Sequence, residues 1–207
     1  GNGPQVGFMA LRSELARDQL HEVPLDYLVA DTQGSIGYMI QRALREELRR
    51  RGVYKHVACL ITEVQVDPHD QAFKEPTKPI GRFYTEKEAE ALRQHRGWDM
   101  TNDAPRGWRR VVPSPAPVQI VQIEVVRNLV DVGAIVVCCG GGGIPVVRDN
   151  QGHIHGIEGV IDKDRASALL AVRLGAERLV IGTAVDGVYQ DFGTPQQHLI
   201  RTIDIDS

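Results

Sequence analysis

Apolar residues recur with helical spacing in several stretches of the chain. From Ser35 to Arg51 they lie three or four positions apart, with Arg and Glu between them and Gly52 after the last. This pattern predicts an amphipathic helix that ends at the glycine. Similar spacing predicts further helices at 85–97, 120–130 and 162–175. In the last of these, four residues are expected to face inward: Ala168, Leu169, Val172 and Leu174.

Short apolar runs rich in β-branched residues alternate with these helices and predict buried strands. They cover 56–66, 134–139, 144–149 and 178–185, and the turn residues at 149–152 predict a short hairpin. Continuous apolar strands that alternate with helices are typical of an α/β fold with a mainly parallel sheet covered on both faces.

The span 67–117 interrupts this alternation. We interpret 76–84 as a loop and 106–117 as irregular, proline-rich chain, and within the span only 85–97 has a helical pattern, which opens with the capping-box pair Thr85 and Glu88. We therefore predict one domain over 1–207 with an inserted, protruding subdomain or lid at 67–117.

Composition limits the class of protein. The 207 residues are 42% hydrophobic and 25% charged, which is typical of a soluble globular protein. A net charge of −3 gives no reason to expect binding to nucleic acid or membrane, and no apolar run approaches the roughly 18 residues of a membrane span. Cys59, Cys138 and Cys139 are interpreted as buried thiols of a cytoplasmic protein. The first residue is Gly within "GNGPQVG", interpreted as a loop, so we expect a fragment or a chain without its natural N-terminal segment.

Four consecutive glycines, Gly140–Gly143, follow the run "AIVVCC". Ligands of α/β sheets bind beyond the carboxyl ends of strands, and consecutive glycines allow several backbone N–H groups to converge on an anion. The dinucleotide fingerprint fails because Pro145 occupies the place of its third glycine, and no lysine lies near enough for a Walker loop. We favour an anion site over a flexible turn.

Two of the five lysines have unusual neighbours. Lys78 lies between two prolines, and Lys163 lies between Asp162 and Asp164 at a predicted strand–helix junction. A lysine at a helix N-terminus opposes the helix dipole, so the aspartates or a bound phosphate should compensate. The alternative, in which Asp162 caps the helix and Lys163 is solvated, stays open.

The motif His153-Ile-His155 could supply two metal ligands from one strand face. No third ligand is evident in the sequence, so we predict no metal site.

The chain resembles carbamate kinases of the amino acid kinase superfamily over essentially its whole length. The resemblance rests on "GNGPQVG", "TQGSIGYMIQ", "PTKPIGRFYTEKEA", "RGWRRVVPSP", "GGGGIPVV", "GVIDKDRASALLA" and "VDGVYQDFGTP", in this order. It implies a three-layer αβα fold, a homodimer, and reversible phosphoryl transfer between ATP and carbamate to give ADP and carbamoyl phosphate, usually in arginine breakdown by the deiminase pathway. The combination of "PTKPIG" and "RGWRRVVPSP" disfavours acetylglutamate kinase and uridylate kinase.

The resemblance also implies roles for particular residues. Lys78 and Lys163 would stabilise the transferring phosphoryl group, Asp164 would orient the lysines, and Mg²⁺ would bridge the nucleotide phosphates. Carbamate and its phosphate would lie against two loops that contain Asn2, Gly3, Gly140, Gly141, Gly142 and Gly143. The adenine nucleotide, ATP or ADP, would contact Thr183, Asp186 and Tyr189.

The sequence departs from the family pattern in three places. Relatives begin with a strand and a glycine-rich loop that precede Gly1, and they continue to a "GSMGPK"-like segment beyond Ser207. Ala184 stands where many relatives have Asp. The alternative function is therefore a non-catalytic or truncated member of the fold that binds nucleotide or acyl phosphate without turnover.

Overall fold

The computed structural model describes residues 2–204 and divides the chain into two units, Gly1–Glu177 and Arg178–Ser207. The helices all belong to the first unit: α1 (Gly3–Ala16), α2 (Leu25–Arg50), α3 (Glu86–Arg96), α4 (Ile123–Asp131) and α5 (Lys163–Leu174). Its strands are β1 (Val57–Cys59), β2 (Glu63–Val66), β3 (Lys78–Tyr84), β4 (Met100–Asn102), β5 (Trp108–Val112), β6 (Pro117–Ile120), β7 (Ile135–Val137), β8 (Ile144–Arg148) and β9 (Ile154–Gly156). This mixture of helices and strands confirms the predicted α/β class.

The strands of the first unit form three sheets. β1 pairs with β7 in parallel, with Val57 opposite Ile135. The second sheet has the order β6-β2-β8-β9, in which β2 and β8 are parallel and the two outer strands are antiparallel to their neighbours. The third sheet, β3-β5-β4, is antiparallel. The apolar run 56–66 was predicted as one strand, but it divides into β1 and β2, which belong to different sheets.

The N-terminal part of the chain is more helical than predicted. "GNGPQVG" was interpreted as a loop, but α1 begins at Gly3, where Pro4 suits the first turn because it needs no N–H partner there. Helix α2 starts at Leu25, ten residues before the predicted start, and Gly52 follows its end with a φ of 67° as expected. The interpretation of the N-terminal motif as a loop was wrong.

Helices α3 and α5 match their predictions in position. The capping box of Thr85 and Glu88 is formed, and α5 is capped by Asp162. The predicted inward face of α5 was partly wrong: Ala166 is fully buried, whereas Ala168 and Val172 are exposed. A helix of this composition has apolar residues on more than one side, so spacing alone did not identify the packed face.

The segment between β2 and β6 contains its own sheet, β3-β5-β4, with α3 packed against it. The predicted loop at 76–84 is largely strand β3, and part of the proline-rich stretch 106–117 forms β5. These two predictions of irregular chain were wrong, because pairing of β3 with β5 forms the strand despite Pro79 and Gly81, with a register shift between Ile80 and Tyr84. A small cluster of Tyr84, Ala89 and Met100 forms the apolar interior here, with Trp98 and Trp108 against it.

The first unit also contains two larger apolar clusters. One joins α1 and α2 to β3 and β8 through Val6, Leu28, Ile80 and other side chains. The other lies beneath the glycine run and contains Val64, Val66, Ile120, Cys139, Ile161 and Ala166. Both clusters therefore support the segment that the sequence marks as an anion site.

The second unit contains the hairpin β10 (Val188–Gln190) and β11 (His198–Ile200), in which Tyr189 is opposite Leu199. The predicted buried strand at 178–185 is wrong, because these residues have no strand pairing in the structure and Val180 is 80% exposed. An apolar run forms a strand only where a neighbour accepts its hydrogen bonds.

The three cysteines are free thiols, with Cys139 buried and the other two partly buried. Burial raises the pKa of the Cys59 thiol, and a hydrogen bond with Cys138 together with burial raises the pKa of Cys139. Within residues 2–204 no helix has the length and apolar character needed to cross a membrane.

Candidate active site

The glycine run forms a tight turn between β7 and β8. The N–H groups of Gly142 and Gly143 donate to the carbonyls of Cys139 and Gly140, at 3.0 and 3.2 Å. Between residues 2 and 204, no acceptor is found for the N–H groups of Gly140 and Gly141. Two consecutive backbone donors are therefore left for a ligand, which is fewer than four glycines could supply but enough to bind one oxyanion.

The turn is closely packed, and this explains why it consists of glycines. A Cβ atom on Gly141, whose φ is 71°, would lie 2.0 Å from Oδ1 of Asn2. A Cβ atom on Gly142, whose φ is 110°, would lie 2.3 Å from the carbonyl oxygen of Ile161. Glycine is required here by both the backbone conformation and the close neighbours.

Asn2 is one of the residues predicted to bind substrate, and the structure places its side chain against Gly141. It is 5% exposed, and its Nδ2 donates to Oγ1 of Thr32 at 2.7 Å. Gly3 follows as the first, exposed residue of α1. The structure thus brings the N-terminal motif and the glycine turn together, as the resemblance implied.

A buried glutamine that the sequence analysis missed forms a hydrogen bond with the glycine turn. Gln33 of α2 accepts a hydrogen bond from the N–H of Thr62 at 2.8 Å, and its amide nitrogen lies 3.2 Å from the carbonyls of both Thr62 and Gly140. The hydroxyl of Thr62 accepts from the N–H of Cys139 at 3.0 Å. Gln33 lies among polar residues in the sequence, so no local signal marked it, although a buried amide needs partners of this kind.

The start of α5 lies directly beside the glycine turn. Ile161, whose carbonyl oxygen leaves no room for a Cβ atom on Gly142, precedes the N-cap Asp162. Oδ1 of Asp162 accepts from the N–H groups of Asp164 and Arg165 at 2.9 and 3.3 Å. Its other oxygen, Oδ2, binds Nζ of Lys78, which extends from β3, at 3.0 Å.

The two predicted catalytic lysines have different carboxylate partners. Nζ of Lys163 lies 2.7 Å from Oδ1 of Asp164, and both side chains are about half exposed. Asp164 was predicted to orient both lysines, but the contact found for Lys78 is with Asp162, which the sequence analysis considered as a partner of Lys163 or as a helix cap. The arrangement places two ammonium groups on neighbouring aspartates at a helix N-terminus. The two ammonium groups and the helix N-terminus together favour a bound anion.

The remaining predicted contacts lie in the second unit. The hydroxyl of Tyr189 donates to Oδ1 of Asp186 at 2.6 Å, and this bond raises the pKa of Tyr189. Thr183 bonds to Val185 through its hydroxyl, as donor to the carbonyl at 2.7 Å and acceptor from the N–H at 3.1 Å. These residues form a local polar group, and their role in nucleotide binding stays a prediction.

The bond from Lys78 is the main cause that lowers the pKa of Asp162 to about 2, with the helix N–H groups as further causes. Because its pKa is lower in the folded state, the Asp162 carboxylate stabilises the fold at pH values above its unfolded pKa of 3.8. This stabilisation is lost as the pH falls from about 4 through 2.

We expect Lys78→Ala to raise the pKa of Asp162 toward 3.8 without reaching it, because the two helix N–H bonds remain. NMR titration of the side-chain carboxyl carbon measures this pKa. Lys163→Ala is the matched control and should leave it nearly unchanged, because Lys163 binds Asp164 instead. An unchanged pKa in Lys78→Ala would contradict the contact.

Comparison with known proteins identifies the family of the chain. The model of the amino acid kinase family matches residues 1–207. A carbamate kinase of Pyrococcus horikoshii is 48% identical over 209 residues, which cover 100% of this chain and 66% of that protein. One of Staphylococcus epidermidis is 44% identical, with coverage of 100% and 67%. The structure of the Giardia lamblia carbamate kinase bound to AMP-PNP superposes with a TM-score of 0.84 at 41% identity, over 97% of this chain and 63% of that one.

The chain spans about two thirds of the length of these curated relatives. The family match extends over the entire chain, and it includes the glycine turn and both lysine-bearing segments. The chain therefore belongs to the amino acid kinase family, and the relatives named above are carbamate kinases.

Proposed function

We propose that the full-length protein is a carbamate kinase, which transfers a phosphoryl group reversibly between ATP and carbamate to give ADP and carbamoyl phosphate. The observation that carries the proposal is the close approach of Gly142 to Ile161. This approach places the N–H groups of Gly140 and Gly141, for which residues 2–204 supply no acceptor, beside the helix start that carries Asp162 and Lys163. The relatives named carbamate kinase support the choice of substrate.

Phosphoryl transfer between two oxygen atoms requires in-line positioning and neutralisation of charge more than covalent help from the protein. In the proposed reaction the N–H groups of Gly140 and Gly141 hold the carbamate or acyl phosphate oxygens. Lys78 and Lys163 exchange part of their contact with the aspartates for contact with the transferring phosphoryl group. Fixed donors of this kind stabilise the charge that develops in the transition state.

The nucleotide is proposed to contact Thr183, Asp186 and Tyr189, as the resemblance implied. Mg²⁺ prefers oxygen ligands and commonly binds nucleotide phosphates with few protein carboxylates. Asp162 and Asp164 are the carboxylates at this site, and both already bind lysines. Phosphate oxygens would therefore supply most of the ligands of the ion, whose chemistry is to neutralise phosphate charge. The setting in arginine breakdown and in the cytoplasm is proposed from the resemblance alone.

Formation of ATP from ADP and carbamoyl phosphate by the purified full-length protein tests the proposal. Turnover would support the kinase, whereas binding of ADP or carbamoyl phosphate without turnover would support the non-catalytic alternative.

We expect Lys78→Ala to lower the turnover number more than the affinity for ADP. Lys78 extends from the separate sheet of β3, β4 and β5, so it is expected to contribute when the phosphoryl group is transferred rather than when the nucleotide binds. Initial rates and ADP titration of the same preparation separate the two effects. The matched control is Lys74→Ala, an exposed lysine four residues earlier, which should change neither. Weakened ADP binding with normal turnover would make Lys78 a nucleotide ligand.

A homodimer is also proposed, because α2 exposes neighbouring apolar side chains. Tyr38 and Met39 are 62% and 57% exposed, and Ile40 is 39% exposed. Exposed apolar patches of this kind commonly mark protein interfaces. Light scattering during gel filtration should give twice the mass of one chain. A monomer mass at micromolar concentration would contradict this proposal.

A further inference from the structure

Three metal-binding side chains meet at the end of the β8–β9 hairpin. Asp149 follows β8, His153 precedes β9, and His155 lies within β9. Nε2 of His155 and Nδ1 of His153 lie 2.9 and 3.4 Å from the same oxygen, Oδ2 of Asp149. One ligand atom from each residue can be chosen so that all three lie within 4.8 Å of one another. The sequence offered the two histidines, and the fold adds the carboxylate that completes a set of three.

We propose that Asp149, His153 and His155 bind a divalent first-row transition metal ion, with Zn²⁺ as the representative ion. Zinc binds imidazole nitrogen and carboxylate oxygen at about 2.0–2.2 Å, so the ligand atoms of a tetrahedral ion lie about 3.4 Å apart. The observed separations of 2.9 and 3.4 Å for the two histidines are already close to this value. Three protein ligands leave a fourth position for water.

The carboxylate is held in the orientation that such a site needs. Its other oxygen, Oδ1, accepts hydrogen bonds from the N–H groups of Gln151 and His153, at 2.9 and 2.8 Å. The N–H of Asp149 in turn donates to the carbonyl of His153 at 2.9 Å, which closes the turn. Oδ2 is therefore directed to the two rings by the backbone, and contacts outside the ligand set that fix a ligand in this way raise metal affinity.

The two histidines contact Oδ2 of Asp149 unequally. A ring N–H of His155 donates to Oδ2 at 2.9 Å, whereas Nδ1 of His153 lies 3.4 Å from the same oxygen, and the two rings are inclined by 76°. Two imidazoles and one carboxylate are ligands that zinc accepts. Imidazole also selects against Mg²⁺ and Ca²⁺, which prefer sites made of oxygen alone.

The proposed metal site is separate from the proposed kinase site. All three ligands are exposed, and the five residues of β8 separate Asp149 from the glycine turn by about 16 Å at 3.3 Å per residue. An ion here would join the end of β8 to β9, and because it binds only the folded hairpin it would stabilise the protein. The proposal stands whether or not the protein is a kinase.

Titration of chelator-treated full-length protein with ZnCl₂, in excess Mg²⁺, tests the site by calorimetry. We expect one zinc ion per chain and a rise in melting temperature. His155→Ala should weaken zinc binding about 100-fold or more, since loss of even an outer contact commonly costs 10- to 100-fold. His95→Ala removes an exposed histidine of α3 and should leave the affinity unchanged.

Asp149→Asn provides a second variant that keeps an oxygen able to accept the two turn hydrogen bonds but removes the charge. It should fold like the parent protein and lose at least about tenfold in zinc affinity. Absence of zinc binding to the parent protein would overturn the proposal. So would binding that persists unchanged in His155→Ala or Asp149→Asn, because the zinc would then be held elsewhere, for example by the cysteines.

Discussion

Replacement of Lys163 by alanine in the full-length protein is expected to lower phosphoryl transfer from carbamoyl phosphate to ADP by about 100-fold or more, the usual cost of one preorganised charge donor. The fold should be unaffected. The Lys163–Asp164 pair is about half exposed, and pairs of this kind contribute little to stability. Removal of a positive charge from a helix N-terminus should leave the melting temperature equal or slightly higher. Steady-state rates and thermal unfolding of the same sample measure both effects.

Lys87→Ala is the matched control for this prediction. Lys87 is also an exposed lysine in the first turn of a helix, α3, and it should be replaceable without loss of activity. If Lys163→Ala kept activity within tenfold of the parent protein, Lys163 would be no more than a solvated residue beside the Asp162 cap.

Gly141→Val is expected to abolish carbamoyl phosphate binding while ADP binding survives. A β-branched side chain at this position would displace the Asn2 side chain, which lies within 2.0–2.4 Å of the added Cβ. It would also be strained, since the φ of Gly141 is 71°, at a cost of about 1–3 kcal/mol in the free energy of unfolding. ADP binding should persist because the nucleotide is proposed to rest on residues 183–189. Calorimetric titration of the folded variant with each ligand gives both affinities.

Gly133→Val is the control that separates the effect of backbone strain from the effect of a side chain that obstructs the ligand site. Gly133 also has a positive φ, 81°, but a Cβ atom there would meet no atom within 4 Å among the described residues. It should cost a similar free energy of unfolding and keep both ligands. Equal loss of both ligands in Gly141→Val, or of neither, would exclude the glycine turn as a specific carbamoyl phosphate site.

The sequence predicted those parts of the fold whose cause is local. The α3 capping box, the end of α2 at Gly52 and the hairpin after β8 depend on a few neighbouring residues, and each is found. The strand β3 and the split between β1 and β2 were not predicted, because pairing partners far away in the chain decide both. The exposed run 178–185 was mispredicted for the same reason.

The components of the candidate site could be located in the sequence, but the contacts between them could not. Local motifs identified the glycine turn and both lysines, yet nothing in the spacing indicated that Lys78 would bind Asp162 across 84 positions of sequence. Gln33 was missed because its importance comes from a carbonyl 107 positions away. Contacts of this length follow from the packing of helices and sheets, which periodicity describes only in outline.

Gly141 and Gly142, two of the obstructed glycines of the turn, differ in how evolution could replace them. The atoms that crowd Gly141 belong to the side chain of Asn2, so a second substitution at Asn2 could make room for a larger residue. The atom that crowds Gly142 is the carbonyl oxygen of Ile161, and no exchange of side chains can remove a backbone oxygen. A paired change at Asn2 would therefore relieve the crowding at Gly141 and leave only the strain of its positive φ. Position 142 can change only if the chain before α5 takes another course, so lineages that keep this turn should keep Gly142.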